Sequence, residues 1–227
     1  MRKLILFDVD GTLLKSAGKS LHNAAFFNTL KNLHDIELET KERSMSGLTD
    51  RIILTLLLQE GGMSDSEIEK HLPGTLIAVQ DFYVKEFKTG SVVILPGVKE
   101  LLQALKERGS TIGLLTGNIE GIAHTKLKSL GINDYFTTGG FGHEPHTSRG
   151  ELVKLAIVKA GFKGNEADVY LVGDTPRDIR AAQEAGLSHI VAVATGSYTS
   201  KELKGCGAEV TLDDFSDKQT ALSAFGY

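Results

Sequence analysis

From Val92 onward, short β-branched runs alternate with stretches of helical periodicity, a grammar satisfied by a parallel sheet with helices on both faces and by few other architectures. Buried-type strands are predicted over residues 111–115, 168–172, 189–193 and 209–212. A shorter strand over 135–138 leads into the glycine-rich GGFGHEPHTSRG. Between the strands, helices are predicted over 98–106, 119–130 and 151–159, and another opens at Pro176 and stops at Gly186. Pro96 starts the first of them, and Gly109, Gly131 and Gly161 supply stops. Such units join by right-handed crossovers, so the expected fold is a doubly wound, Rossmann-like parallel α/β sheet.

One strand stands outside this series. The apolar run LILF, Leu4–Phe7, ends in Asp8 and Asp10, followed by Gly11 and Thr12. Side chains alternate along a strand, so Asp8 and Asp10 leave on one side while Phe7 and Val9 leave on the other. Two carboxylates held this close raise the proton affinity of one of them unless a cation lies between. The plain alternative is an acidic turn after a strand.

The segment between this strand and the later series is far longer than an ordinary crossover, and it is helical in pattern. One helix opens near Ser20 and carries Leu21, Ala24, Ala25 and residues 30–33; a polar stretch over 36–46 follows. A second covers 49–60, with Ile52, Ile53, Leu56 and Leu57 on one face, and ends at Gly61-Gly62. A third opens with a capping box, Ser64 and Glu67. It is expected to break at Pro73-Gly74 and resume over 75–87, with Leu76, Val79, Phe82, Tyr83 and Phe87 as core. The expected organisation is an α/β core built from 1–15 and 90–227, with an all-helical domain inserted over 16–89.

The formal charge of −4 argues against a general nucleic-acid binder, because affinity for a phosphate backbone rests on clustered Lys and Arg. Four apolar residues before Asp8 are too few for the core of a signal peptide, and the run 52–58 is too short to span a bilayer. One cysteine, Cys206, excludes an internal disulfide framework. A cytoplasmic protein with a reduced thiol, no membrane partner and no nucleic-acid partner is expected.

In an open parallel sheet, ligands bind beyond the carboxyl ends of the strands, and Asp8, Thr116 and Asp174 all fall there. DVDGTL at 8–13, LLTGN at 114–118 and VGDTPRD at 172–178, in that order, resemble the haloacid dehalogenase superfamily. More narrowly they resemble its phosphoglycolate-phosphatase and β-phosphoglucomutase-like branch, in which a helical cap stands between the first and second motifs. The resemblance implies a hydrolase of small phosphorylated metabolites, a monomer or weak homodimer, that uses Mg²⁺. Asp8 would be the nucleophile, forming an aspartyl-phosphate, and Asp10 the general acid and base. Mg²⁺ would be held by Asp8, the Asp10 carbonyl and Asp174. Relatives that cleave halides or phosphonates lack the second aspartate, so Asp10 favours a phosphate ester.

Thr116 resembles the hydroxyl that binds a phosphoryl oxygen, beside the amides of Gly117 and Asn118; it equally suits a helix N-cap. Thr12 would brace the turn after the nucleophile. Asp178 resembles an acid facing the metal from behind, or an acid in a first helical turn. The family's third motif is usually a Lys before a proline, and the loop FGHEPHTSRGELVKLA holds no lysine ahead of its helix. Arg149 is the leading replacement, since a guanidinium pairs with carboxylate and phosphate alike, with His143, His146 and Lys154 as alternatives. In the inserted helices, SGLTDRIIL at 46–54 resembles a segment presented to the active site, which would bring Gly47, Thr49, Asp50 and Arg51 to the substrate; a helix start capped by Thr49 is the other reading. Two rivals remain: a phosphomutase, returning the phosphoryl group to a sugar phosphate, and a phospho-accepting receiver-type domain.

Overall fold

The computed structural model describes residues 2–18, 20–39, 47–146, 148–165 and 168–227; Ser46 and the rest of the polar stretch over 40–46 lie outside them. The strands are β1 Leu4–Phe7, β2 Leu14–Ser16, β3 Val92–Ile94, β4 Thr111–Thr116, β5 Thr138–Phe141, β6 Val169–Gly173, β7 His189–Val193 and β8 Val210–Leu212. The helices are α1 Leu21–His34, α2 Asp50–Glu60, α3 Asp65–Glu86, α4 Val98–Glu107, α5 Glu120–Ser129, α6 Arg149–Lys159, α7 Pro176–Glu184, α8 Ser200–Gly205 and α9 Lys218–Ser223.

Six strands form one parallel sheet in the order β5-β4-β1-β6-β7-β8. All four residues of β1 are buried, as expected of a strand covered on both faces. Ile5 and Phe7 join one core cluster with side chains of α4, α5 and α9, while Leu4 and Leu6 join another with α6, α7 and α8. The doubly wound α/β fold therefore follows from β1's alternation. Phe7 pairs with Leu114 on one side and Val172 on the other, so the residues following β1, β4 and β6 emerge together. The strand order reverses direction about β1, which is where such sheets bind ligands.

A short antiparallel ribbon, β2 with β3, joins the chain's exit into the helical segment to its return, with Leu14 opposite Ile94 and Ser16 opposite Val92. Helices α1, α2 and α3 share an apolar cluster around Phe26, Leu30, Leu54, Leu57 and Val79, and Ile119 and Ile122 beside and within α5 complete it. No helix among the described residues is long and apolar enough to cross a membrane.

Two local expectations are corrected. Pro73-Gly74 does not break the third helix: α3 runs unbroken from Asp65 to Glu86. Both residues lie on the exposed side, while Ile68, Leu72, Leu76, Val79 and Tyr83 are buried. Burying that stripe outweighs the roughly 3 kcal/mol that an interior proline costs. The strand predicted over 135–138 is instead a 3₁₀ turn, Asn133–Tyr135, with the strand displaced to Thr138–Phe141. Its centre is Gly139-Gly140, and a Cβ on Gly140 would stand 2.6 Å from the Leu152 carbonyl oxygen of α6. Close helix packing selects glycine there and removes the β-branched signal. The short helices α8 and α9 also lie beyond the sequence expectations.

Candidate active site

Asp8 follows β1 and is buried. The chain turns sharply behind it, with Leu13 N–H donating to the Val9 carbonyl at 2.9 Å and Gly11 N–H to the Leu14 carbonyl at 2.8 Å. Gly11 takes φ +88°, and a Cβ there would lie 2.3 Å from Asp174 Oδ2. Gly196 presses on the same carboxylate, where a Cβ would come within 1.8 Å. Thr12 Oγ1 donates to Asp174 Oδ1 at 3.1 Å. The turn after β1 thus clasps the acid that follows β6.

Asp178 occupies the third position of α7 in a capping box: its Oδ2 accepts from Thr175 N–H at 3.0 Å and Thr175 Oγ1–H at 2.6 Å. Its other oxygen faces inward. Asp8, Asp174 and Asp178, all buried, each place one carboxylate oxygen within 4.8 Å of the others. The first-turn reading of Asp178 therefore holds through Oδ2, while Oδ1 joins the carboxylate cluster.

Arg149 opens α6 after the Ser148 cap and carries its guanidinium into this cluster. Nη2 donates to Asp8 Oδ1 at 2.7 Å and pairs with Asp178 Oδ1 at 2.6 Å, while Nη1 donates to the Gly47 carbonyl at 2.9 Å. The other candidates lie elsewhere: His143 Nδ1 accepts from Glu120 N–H at 3.4 Å, His146 Nε2 lies 2.8 Å from Thr49 Oγ1, and Lys154 is exposed. Burial works against the Arg149 charge, but Asp178 and Asp8 outweigh it and raise its pKa.

Asp10 leaves the same strand end into different company. Lys126 of α5 donates to both its oxygens, at 2.9 and 2.7 Å, and to Asn118 Oδ1 at 2.8 Å. Asn118 Nδ2 donates to Asp10 Oδ2 at 2.8 Å and to Thr116 Oγ1 at 2.7 Å, and Asn118 N–H reaches that hydroxyl at 3.2 Å. The two acids consequently differ in proton affinity. Burial, then Asp178, push Asp8 well above the usual carboxylate range despite Arg149. Burial also acts to raise Asp10, but Lys126 and Asn118 overcome it and hold that carboxyl below its ordinary value. Asp174 is pushed up to about 7 by burial and Asp178.

Fully ionised, the carboxylates of Asp8, Asp10, Asp174 and Asp178 would exceed the two cations, Arg149 and Lys126, by two charges, an excess that burial opposes. An all-oxygen donor set with that excess suits a hard divalent cation such as Mg²⁺.

Above the acids opens a cavity of about 400 Å³, walled by His22 and Phe26 of α1, Tyr83 of α3 and the strand-end loops. Helix α2 docks on those loops: Asp50 N–H donates to the Gly117 carbonyl at 2.7 Å and Arg51 N–H to the Gly142 carbonyl at 3.0 Å. Thr49 caps α2 and is buried against His146, away from the cavity. Asp50 Oδ2 accepts from Ile119 N–H at 2.7 Å and lies 2.9 Å from His22 Nε2. Gly47, at φ +73°, lines the cavity and gives its carbonyl to Arg149.

Lys126 and His22 were absent from the sequence expectations. Lys126 had a signal: on the stripe Ile119, Ile122, Ala123, Lys126, Leu127, at spacing i, i+3, i+4, i+7, i+8, a lysine occupies a core position. Such a lysine needs a buried partner.

Residues 5–192 match the family of haloacid dehalogenase-like hydrolases. The chain is 27% identical over 231 residues to the probable phosphatase IndB of Dickeya dadantii, covering 99% of this chain and 95% of that protein. It is 26% identical over 222 residues to the phosphoglycolate phosphatase of Rhodospirillum rubrum, covering 95% and 89%. Among solved structures, β-phosphoglucomutase from Clostridium difficile superposes with a TM-score of 0.73 at 21% identity, covering 100% of this chain and 98% of that one, a likeness of fold. With the matched model spanning most of its length, the chain belongs to the haloacid dehalogenase-like hydrolase family.

Proposed function

We propose that the protein is a Mg²⁺-dependent phosphatase that hydrolyses small phosphate monoesters through an aspartyl-phosphate on Asp8. The observation that carries this reading is the separation of the two strand-end acids: Asp8 lies with Arg149 among buried carboxylates, and Asp10 is held apart by Lys126 and Asn118. Asp8 shares the buried cluster of Asp174 and Asp178, where a bound divalent cation would keep it ionised as a nucleophile, while Asp10 stands outside that cluster and is left to move the proton. An Asp8 oxygen attacks phosphorus, the ester oxygen departs with a proton from Asp10, and Asp10 then takes a proton from the water that releases inorganic phosphate. The Thr116 hydroxyl, the Gly117 amide and Arg149 bind phosphoryl oxygens, while the Asn118 N–H, also expected there, donates to Thr116 Oγ1. Asp8, the Asp10 carbonyl and Asp174 hold Mg²⁺, with Asp178 behind them and Thr12 bracing Asp174. When bound, the ion supplies charge neutralisation between the carboxylate and the phosphoryl group.

Residues 16–89 form the cap in this reading, with Gly47, Thr49 and Asp50 at its contact with the strand-end loops. Names of the curated relatives, a phosphatase and a phosphoglycolate phosphatase among them, point the same way. The test is phosphate release with Mg²⁺ over phosphoglycolate, sugar phosphates, nucleotides and an aryl phosphate. Hydrolysis that Asp8→Asn abolishes is expected. Isomerised sugar phosphate with negligible free phosphate would reassign the protein as a phosphomutase, and a lasting phosphoprotein without turnover as a receiver.

A further inference from the structure

We infer that Lys126 is a positioning residue for the proton-transfer step, aiming the Asp10 carboxylate and fixing the polarity of the Thr116 hydroxyl through Asn118. This rests on the reading of Asp10 as the proton carrier. The Lys126 side chain is 3% exposed, and an ammonium is costly to bury unless each N–H is used. Its three donors are spent on Asp10 Oδ1, Asp10 Oδ2 and Asn118 Oδ1. None remains for a substrate, so the ammonium acts on the site through its neighbours.

The consequences pass around a closed ring. With Asn118 Oδ1 turned to the ammonium, Nδ2 must face Asp10 and Thr116, which it does at 2.8 and 2.7 Å. Thr116 Oγ1 then accepts from both Nδ2 and the Asn118 N–H, so its two lone pairs are taken and its hydrogen is what it has left to offer. That hydroxyl, at the end of β4 and on the cavity wall, is a committed donor. Asp10, meanwhile, is gripped at both oxygens. Without the ammonium, the carboxylates of Asp8 and Asp50, which line the same cavity, would repel Asp10 from its place.

A positioning role has a signature that loss of fold does not share. An alkoxide needs a proton as it leaves and a nitrophenolate does not, so disturbing the proton carrier penalises alkyl esters selectively. With Lys126→Met, kcat/KM for the best alkyl monoester of the phosphate-release panel should fall about 100-fold, while that for 4-nitrophenyl phosphate stays within about threefold. Asp10→Asn should show the same split, and Asp10→Asn/Lys126→Met should lose nothing beyond Asp10→Asn. The double variant buries neither charge alone, so it serves where Lys126→Met does not fold. Equal losses on both esters in folded Lys126→Met, or a further alkyl-selective loss in the double variant, would overturn the inference. Equal losses in Asp10→Asn itself would instead strike the assignment of Asp10 as proton carrier.

Discussion

Arg149 Nη2 stands 2.7 Å from Asp8 Oδ1 and 2.6 Å from Asp178 Oδ1, bridging the acid that follows β1 and an acid in the first turn of α7. A planar guanidinium can serve two carboxylates at once, whereas an ammonium is a point charge. Arg149→Ala leaves Asp8 among like charges with no fixed cation, and turnover should fall at least ~100-fold. Arg149→Lys should recover only part of this. Phosphate release checks both, and activity of Arg149→Ala within a few-fold of the parent would remove Arg149 from the chemistry.

The Asp174 carboxyl, raised to about 7, makes stability depend on pH. Below pH ~4 the group is protonated in both folded and unfolded chains and contributes nothing. As pH rises towards 7, the folded state retains a proton that the unfolded chain has lost, so stability falls. The full cost above pH 7 is of order 4 kcal/mol. In chelator, Asp174→Asn should therefore be more stable than the parent at pH 8, with the advantage gone by pH 4. Added Mg²⁺ should stabilise the parent and not the variant. Urea midpoints across pH decide this, and a pH-independent difference would contradict it.

Gly117 lets α2 approach the strand-end loops, since a Cβ there would lie 2.3 Å from the Leu48 carbonyl oxygen. Gly117→Ala must push the start of α2 away and weaken the bond from Asp50 N–H to the Gly117 carbonyl. A loss of about 1–3 kcal/mol is expected, together with a raised KM, because the displaced segment walls the cavity. Thermal melting and steady-state kinetics give the two readouts. An unchanged KM would separate α2 docking from substrate binding.

These relationships were unequally legible in the sequence. Strands β1, β4, β6 and β7 are covered on both faces, so they read as continuous apolar runs, and the placing of Asp8, Thr116 and Asp174 at the carboxyl ends of β1, β4 and β6 follows from topology alone. Strand β5 lost its signal to Gly139-Gly140, and the ribbon β2–β3 is too short to carry a period. Pro73 misled because a local rule was applied where a buried stripe decides. Arg149 could be proposed from the loop that lacks a lysine, but its bridge to Asp178 required α6 and α7 to be packed together. Lys126 was readable only as an anomaly, a charge on an apolar stripe, because its partner lies 116 residues away.

Asp50 is the residue for which sequence and structure suggest different employment. Its carboxylate, 2% exposed, accepts from Ile119 N–H just ahead of α5, a helix whose own N-cap makes no side-chain hydrogen bond, and pairs with His22 of α1. Asp50→Ala therefore strips a cap and leaves His22 unpaired, at about 2–4 kcal/mol. Asp50→Asn keeps an acceptor for Ile119 and should cost less than ~1 kcal/mol. Because α5 carries Lys126, activity in both variants should follow stability, and alkyl and aryl esters should be affected alike. Direct work on the leaving group predicts the opposite: Asp50→Asn would keep its stability and change its ranking of substrates. Denaturation midpoints beside the kcat/KM panel distinguish the two.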